Sequence, residues 1–260
     1  MPSLIRIFVP ADSAALALGA DEVAAAIAAE AKRRGAAVAV VRNGSRGMHW
    51  LEPLVEVQTA SGRVGYGPVT VADVAGLFEA GWLEGGAHPL CIGDPAQHPF
   101  MARQTRWTFA RCGIIDPVSW DDYTAHGGGQ GLARARALGA TAVLEAITAS
   151  GLRGRGGAGF PAGIKWRTVK DAPGDVKYVV CNADEGDSGT FADRMVMEGD
   201  PFSLLEGMVI CGLAVGARKG FIYIRSEYPR AIAVLEHALV VARGSRRASS
   251  GAPSRMRRAT

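Results

Sequence analysis

Apolar positions follow two periods along this chain. Residues 4–9 form a short, β-rich apolar run. Residues 21–34 are alanine-rich, with Val23, Ile27 and Ala31 at helical spacing and Gly35 as a stop signal. Residues 38–41 read as a second buried strand. Residues 54–59 and 63–66 flank Ala60-Ser61-Gly62, the pattern of a hairpin. Thr70 and Asp73 stand where they can cap a short helix containing Val74, Leu77 and Phe78. The periodicity then breaks: in residues 81–140 Gly, Pro and His are frequent, and Trp82, Trp107 and Trp120 follow no period. It resumes at Thr141. Residues 141–149 predict a helix with Val143, Leu144 and Ile147 apolar, and residues 178–181 a short buried strand. Asp200-Pro201 starts a helix whose apolar stripe is Phe202, Leu205, Met208, Val209 and Leu213, ended by Gly216. Residues 221–224 form the next strand. Residues 229–241 form a helix with Ile232, Leu235 and Leu239 inward. Strand, helix, strand implies parallel pairing.

The pattern divides the chain into residues 1–80, a linker with irregular packing at 81–140, an α/β segment at 141–242, and a basic low-complexity tail at 243–260. The order β-α-β, hairpin, helix of the first segment looks like a thioredoxin-like domain. The fold class is α/β. Of 260 residues 48% are hydrophobic and 21% charged, which excludes wholesale disorder. No run free of Asp, Glu, Lys and Arg exceeds 11 residues, so no membrane-spanning helix is expected. The net charge of +4 belongs to residues 243–260, which hold six arginines and no acid. The rest is slightly acidic, which argues against a specific nucleic-acid surface. That tail has too few apolar side chains to order itself. Four cysteines occur with no C-x-x-C pair, and the five histidines lack metal-ligand spacing, so the chain itself offers no metal site. Cys181 and Cys211 read as core thiols and the compartment as cytoplasmic.

Two segments carry chemistry. Residues 150–166 read S-G-L-R-G-R-G-G-A-G-F-P-A-G-I-K-W, with five glycines within nine residues. Glycines let main-chain N–H groups converge on one point, a concavity that suits phosphate, and Arg153, Arg155 and Lys165 add positive charge. Gly154, Gly156 and Gly159 match G-x-G-x-x-G, but the loop follows a helix rather than a strand, so it is not the usual dinucleotide fingerprint. A plain surface loop is the alternative. Residues 181–194 read C-N-A-D-E-G-D-S-G-T-F-A-D-R. They begin where a parallel strand ends, the position at which α/β sheets bind ligands. The Asn182 amide and the carboxylates of Asp184, Glu185 and Asp187 suit the edge and hydroxyls of a flavin, or else form a solvated acidic turn.

Together these motifs resemble the FMN- and NADH-binding flavoprotein subunit of respiratory complex I and its relatives, the NAD-reducing hydrogenases and NAD-dependent formate dehydrogenases. Asp122-Tyr123 through Gly127-Gly128, Asp200-Pro201, Leu205-Glu206-Gly207-Met208 and Tyr223-Ile224-Arg225-Ser226-Glu227-Tyr228 extend the resemblance over roughly residues 120–240. N-A-D-E-G-D-S-G-T-F-A-D-R behind a thioredoxin-like unit looks most like the formate dehydrogenase β subunit. The resemblance implies that Gly154, Arg155, Gly156, Gly157, Ala158, Gly159 and Phe160 line an FMN and NADH cavity, with Phe160 stacking on the dinucleotide. It implies that Lys165, Asn182, Asp184 and Glu185 hold the flavin and that Asp187 contacts NADH. Hydride would pass between NAD(H) and FMN, and single electrons to or from iron–sulfur clusters, with no general acid or base required. Implied partners are a molybdopterin α subunit and a 2Fe–2S γ subunit; complex I and hydrogenase systems are the alternatives.

Some features depart from that family. Thr168 stands where some relatives carry an aromatic residue, removing one wall of an adenine sandwich. The thioredoxin-like unit has no cysteine for a 2Fe–2S cluster. The family's later tyrosine-isoleucine-cysteine-glycine-glutamate-glutamate loop and its C-x-x-C-x-x-C ligands for a 4Fe–4S cluster do not occur. The expectation is a truncated or frame-shifted product with an incomplete FMN-binding domain that retains FMN weakly or not at all, or an inactive remnant acting as a binding module.

Overall fold

The computed structural model describes residues 4–187 and 189–250, and for 245–250 the backbone alone. The chain divides into two compact units, 1–122 with 194–200, and 123–193 with 201–260.

The first unit is built on a five-stranded sheet of order β2-β1-β3-β4-β5. Its strands are β1 Ile5–Phe8, β2 Val38–Val41, β3 Val55–Thr59, β4 Gly62–Tyr66 and β5 Cys91–Gly93. β1 and β2 are parallel, while β3 runs antiparallel to both β1 and β4. Helices α1 Ser13–Ala17 and α2 Ala20–Arg34 lie between β1 and β2, and α3 Val74–Glu79 follows β4. That strand order and polarity are thioredoxin-like. Each expected element is present, although β2, expected as a buried strand, is half-buried along its whole length. α2 ends at Gly35 with φ +67°, and Thr70 and Asp73 form a capping box ahead of α3.

The core of this unit closes around Ile7, Ile27, Val57, Leu77 and Trp82. Trp82 is fully buried, edge-on to Tyr66 and Phe78. Glu56, also buried, accepts a forked pair of hydrogen bonds from Arg46 and a 3.3 Å contact from Arg63. These pairings let a carboxylate sit inside the unit.

The 81–140 stretch, expected as a linker with irregular packing, also holds regular elements, while residues 103–119 form no helix or strand. It contributes β5, α4 Pro99–Ala102, α5 Trp120–Ala125 and the first half of α6 Gln130–Ala149. The short elements carry too few residues to show a period, and the Ala- and Arg-rich start of α6 has no apolar stripe. α6 is broken at Gly139 (φ 78°, ψ 165°), which is why the sequence signal begins only at Thr141.

The second unit continues through α7 Ala162–Asp171, β6 Tyr178–Ala183, α8 Ala192–Gly199, α9 Pro201–Val215, β7 Lys219–Ile224 and α10 Pro229–Ser250. α8 starts in this unit and its residues 194–199 belong to the first. β6 and β7 are parallel, as expected, with Asn182 beside Tyr223 and Ala183 beside Ile224. α9 packs on α6, α7, α10 and both strands. Glu206 locks α9 to the start of α6. Its carboxylate accepts from the amides of Gly129 and Leu132 at 2.7 Å each and from the Tyr123 hydroxyl. A Cβ on Gly131 would lie 2.7 Å from Glu206 Oε1, so the Gly-rich turn clears space for that carboxylate.

Four expectations need correction. β6 is not a buried strand: Val180 is 63% exposed and Tyr178 49%. Its apolar run matches a sheet covered on both faces, but α9 covers only one. Leu213, placed in the inward stripe of α9, is 40% exposed, while Gly212, Ala214 and Val215 are buried. Cys181 and Cys211 are half-buried rather than core thiols, with burial still raising the pKa of each. The last helix runs to Ser250, past the expected end at Val241, and takes in residues 243–250 of the basic segment. The tail expected to be disordered lies, from 251 on, outside the described residues.

Candidate functional site

The glycine-rich segment is a closed loop between α6 and α7. Arg153 and Pro161 form an antiparallel bridge, the Gly154 amide donates to Phe160 O at 2.8 Å, and the Ala162 amide to Leu152 O at 2.8 Å. Arg153 Nε donates to Gly159 O at 2.5 Å and shuts the loop from the side. Gly157 (φ +101°) and Gly159 (φ +59°) need glycine for their backbone. Gly154 and Gly156 do not: their φ is ordinary, a Cβ on Gly156 would meet nothing within 4 Å, and one on Gly154 would make only ordinary contacts. Their missing side chains leave room beside exposed main chain.

This tip, residues 154–158, is exposed, as is Lys165 in the first turn of α7. Phe160 presents its ring with 49% of its surface accessible. The loop feeds the N-terminus of α7, whose dipole adds partial positive charge to that of Arg155 and Lys165. Gly163 sets the seat of α7, since a Cβ there would lie 2.4 Å from Thr148 Oγ1 on α6.

The acidic segment leaves the carboxyl end of β6. Asn182 Oδ1 accepts from the Asp184 amide at 3.1 Å, and Asp187 Oδ1 from the Gly189 amide at 3.1 Å. Asn182, Asp184 and Asp187 are exposed. Glu185 points the other way. It is 6% exposed, and its Oε1 accepts from the amides of Ala192 and Asp193, at 2.6 and 3.1 Å, capping α8. Burial and the neighbouring Glu185 charge raise the Asp193 pKa. Two residues outside the motif brace the loop: Arg225 reaches Asp184 and Gly186, and Tyr228 donates to Glu185 O. The register that sets Ala183 beside Ile224 brings Asp184 and Arg225 together, a pairing invisible without the strand alignment.

Both segments lie in the second unit and share α9, which packs on α7 and on β6. Among the described residues no hydrogen bond or ion pair joins 151–161 to 182–187. Open glycine backbone with adjacent cations suits a phosphate, and an exposed amide and carboxylates at a strand end suit a polar ring edge and hydroxyls. The residues present therefore fit a phosphorylated flavin.

Comparison with known proteins agrees with that chemistry. Residues 147–254 match the Nuo51 FMN-binding domain family. This Nuo51-like stretch takes in both motifs, α9 and β7. The chain is 52% identical over 141 residues to the NADP-reducing hydrogenase subunit HndC of Solidesulfovibrio fructosivorans, covering 54% of this chain and 29% of that one. It is 49% identical over 102 residues to the mitochondrial NADH dehydrogenase [ubiquinone] flavoprotein 1 of Dictyostelium discoideum, covering 37% and 21%. For the NAD-reducing hydrogenase HoxS subunit alpha of Cupriavidus necator the figures are 55% over 86 residues, 33% and 14%. The chain thus spans less than a third of the length of these relatives. A solved NAD+-reducing [NiFe]-hydrogenase overlaps 95% of the chain and 42% of its own at 22% identity and TM-score 0.43.

Proposed function

We propose that this chain carries the flavin- and NAD(H)-binding part of an NADH-linked oxidoreductase subunit. Bound FMN supplies the hydride and single-electron chemistry. The protein's residues do the rest. Main-chain amides of 154–159, the α7 N-terminus and Lys165 receive the phosphate. Asn182, Asp184 and Asp187 offer polar partners to the flavin and the dinucleotide, and Phe160 offers its ring to the dinucleotide. The reading leans on one observation: in a loop tied at both ends, Gly154 and Gly156 are glycines that the chain's own backbone and packing do not require.

The finer assignment is the β subunit of a cytoplasmic NAD-dependent formate dehydrogenase, passing electrons to or from iron–sulfur clusters, including the 4Fe–4S cluster of its family, beside a molybdopterin α and a 2Fe–2S γ subunit. It rests on N-A-D-E-G-D-S-G-T-F-A-D-R following a thioredoxin-like unit. A hydrogenase subunit is the second reading, favoured by the 52% identity to HndC. Identifying which oxidoreductase co-purifies with the chain from its native cell separates them.

Titration of FMN, followed by quenching of flavin fluorescence, tests the shared core of both readings. Weak but saturable one-to-one binding is expected, in keeping with the incomplete FMN-binding domain read from the sequence, and abolished by Gly156→Asp with the melting temperature unchanged. Absence of saturable binding by the native chain sinks the flavin reading.

A further inference from the structure

We propose that Arg225 is a positioning residue for the proposed flavin site, setting the shape of the acidic loop from the neighbouring strand. The inference rests on the flavin reading and adds to it a residue outside both motifs.

The geometry is specific. The parallel register ends with Ala183 beside Ile224, so the chain leaves both strands side by side. Arg225 then spreads its guanidinium over three acceptors: Nε faces Asp184 Oδ1 at 3.6 Å, one terminal nitrogen donates to Gly186 O at 3.3 Å, and the other to Glu227 Oε1 at 3.0 Å. Three residues on, the Tyr228 hydroxyl donates to Glu185 O, and Tyr228 is 7% exposed with the Arg225 guanidinium 5.9 Å from its ring centroid. Asp184, Glu185 and Gly186 are therefore each gripped from the 225–228 turn. With the Glu185 carboxylate turned inward to cap α8, the polar side chains that residues 182–187 expose are those of Asn182, Asp184 and Asp187. Arg225 restrains one of those carboxylates and the Gly186 carbonyl.

A fork of donors does this and a single ammonium does not, because the acceptors lie in different directions. Glu227 takes up part of the arginine's charge, and its own pKa is lowered chiefly by that hydrogen bond. Arg225 thus shapes the loop without leaving a free cation among the acids.

Two measurements on the full chain test this. Hydrogen exchange without flavin reads the loop itself: Arg225→Gln should speed exchange in residues 184–187 and leave the amides of α9 unchanged. FMN titration reads the consequence: Arg225→Gln should weaken binding about tenfold, the loss expected for charge-assisted hydrogen bonds. Arg225→Lys should recover part of it, and the melting temperature should stay put because the side chain is a third exposed. Native-like exchange and FMN affinity in Arg225→Gln overturn the inference and leave the flavin reading standing. A fall in melting temperature in both variants, with no recovery by lysine, also overturns it by marking a general fold role. Failure of the native chain to bind FMN removes the flavin reading, and this inference with it.

Discussion

The two units solve the same problem, covering a sheet, with different completeness. In the first, α2 and α3 bury the strands around Trp82 and Leu77, and the buried Glu56 carboxylate is matched by Arg46 and Arg63. In the second, α9 covers one face of β6 and β7, and the opposite face shows Tyr178, Val180, Phe221 and Tyr223 to solvent. Parallel sheets are ordinarily covered on both faces. The first unit closes its core on itself; in the second, one face of the paired strands stays exposed.

That contrast predicts where substitutions hurt. Trp82→Ala should cost about 3–5 kcal/mol, read as a lowered denaturation midpoint of the first unit. A smaller loss would mean its core is less closed than its burial indicates. Gly163→Ala should cost about 1–3 kcal/mol in the second unit, because the new methyl meets Thr148 where α7 rests on α6. Adding Thr148→Ala, which removes the Oγ1 that the methyl would meet at 2.4 Å, should recover part of that loss if the close approach is the cause.

The first unit should also respond to pH. Burial, followed by the nearby Asp12 charge, pushes the Glu52 pKa up to about 8 from an ordinary 4.5, and burial raises Asp12 as well. A raised carboxyl pKa means the folded chain holds its proton more tightly than the unfolded one. The stabilisation is complete below about 4.5 and is lost as pH climbs through 8. Melting temperature of the first unit should fall between pH 5 and pH 8.5, and Glu52→Gln should flatten that slope. The smallest effect belongs to the open face: Val180→Ser should change stability by less than about 0.5 kcal/mol while raising solubility. A large loss there would show that the face is covered.

Sequence reading recovered most of the first unit because its elements carry clear periods and caps, from Gly35 to the Thr70–Asp73 box. It missed α7 and the front of α6. Glycines punctuate both, and Gly139 splits α6 so that only its apolar second half has a period. The strand at 178–183 was legible as a strand but not as exposed, since an apolar run reads the same whether one face of a sheet or both are covered. The site was legible as two motifs. Arg225 and Tyr228 stood in the sequence only as part of the wider resemblance; their contacts to the acidic loop and the inward turn of Glu185 were not legible, because they follow from strand register and from the cap of α8, which only three dimensions bring together.

The central claim is that the glycine loop and the acidic loop serve one ligand. Hydrogen exchange of the native chain with and without saturating FMN tests it most directly. The account predicts slowed exchange in residues 153–160 and in 182–187 together, saturating at the same FMN concentration. Protection confined to one of these stretches, or absent from both, contradicts it.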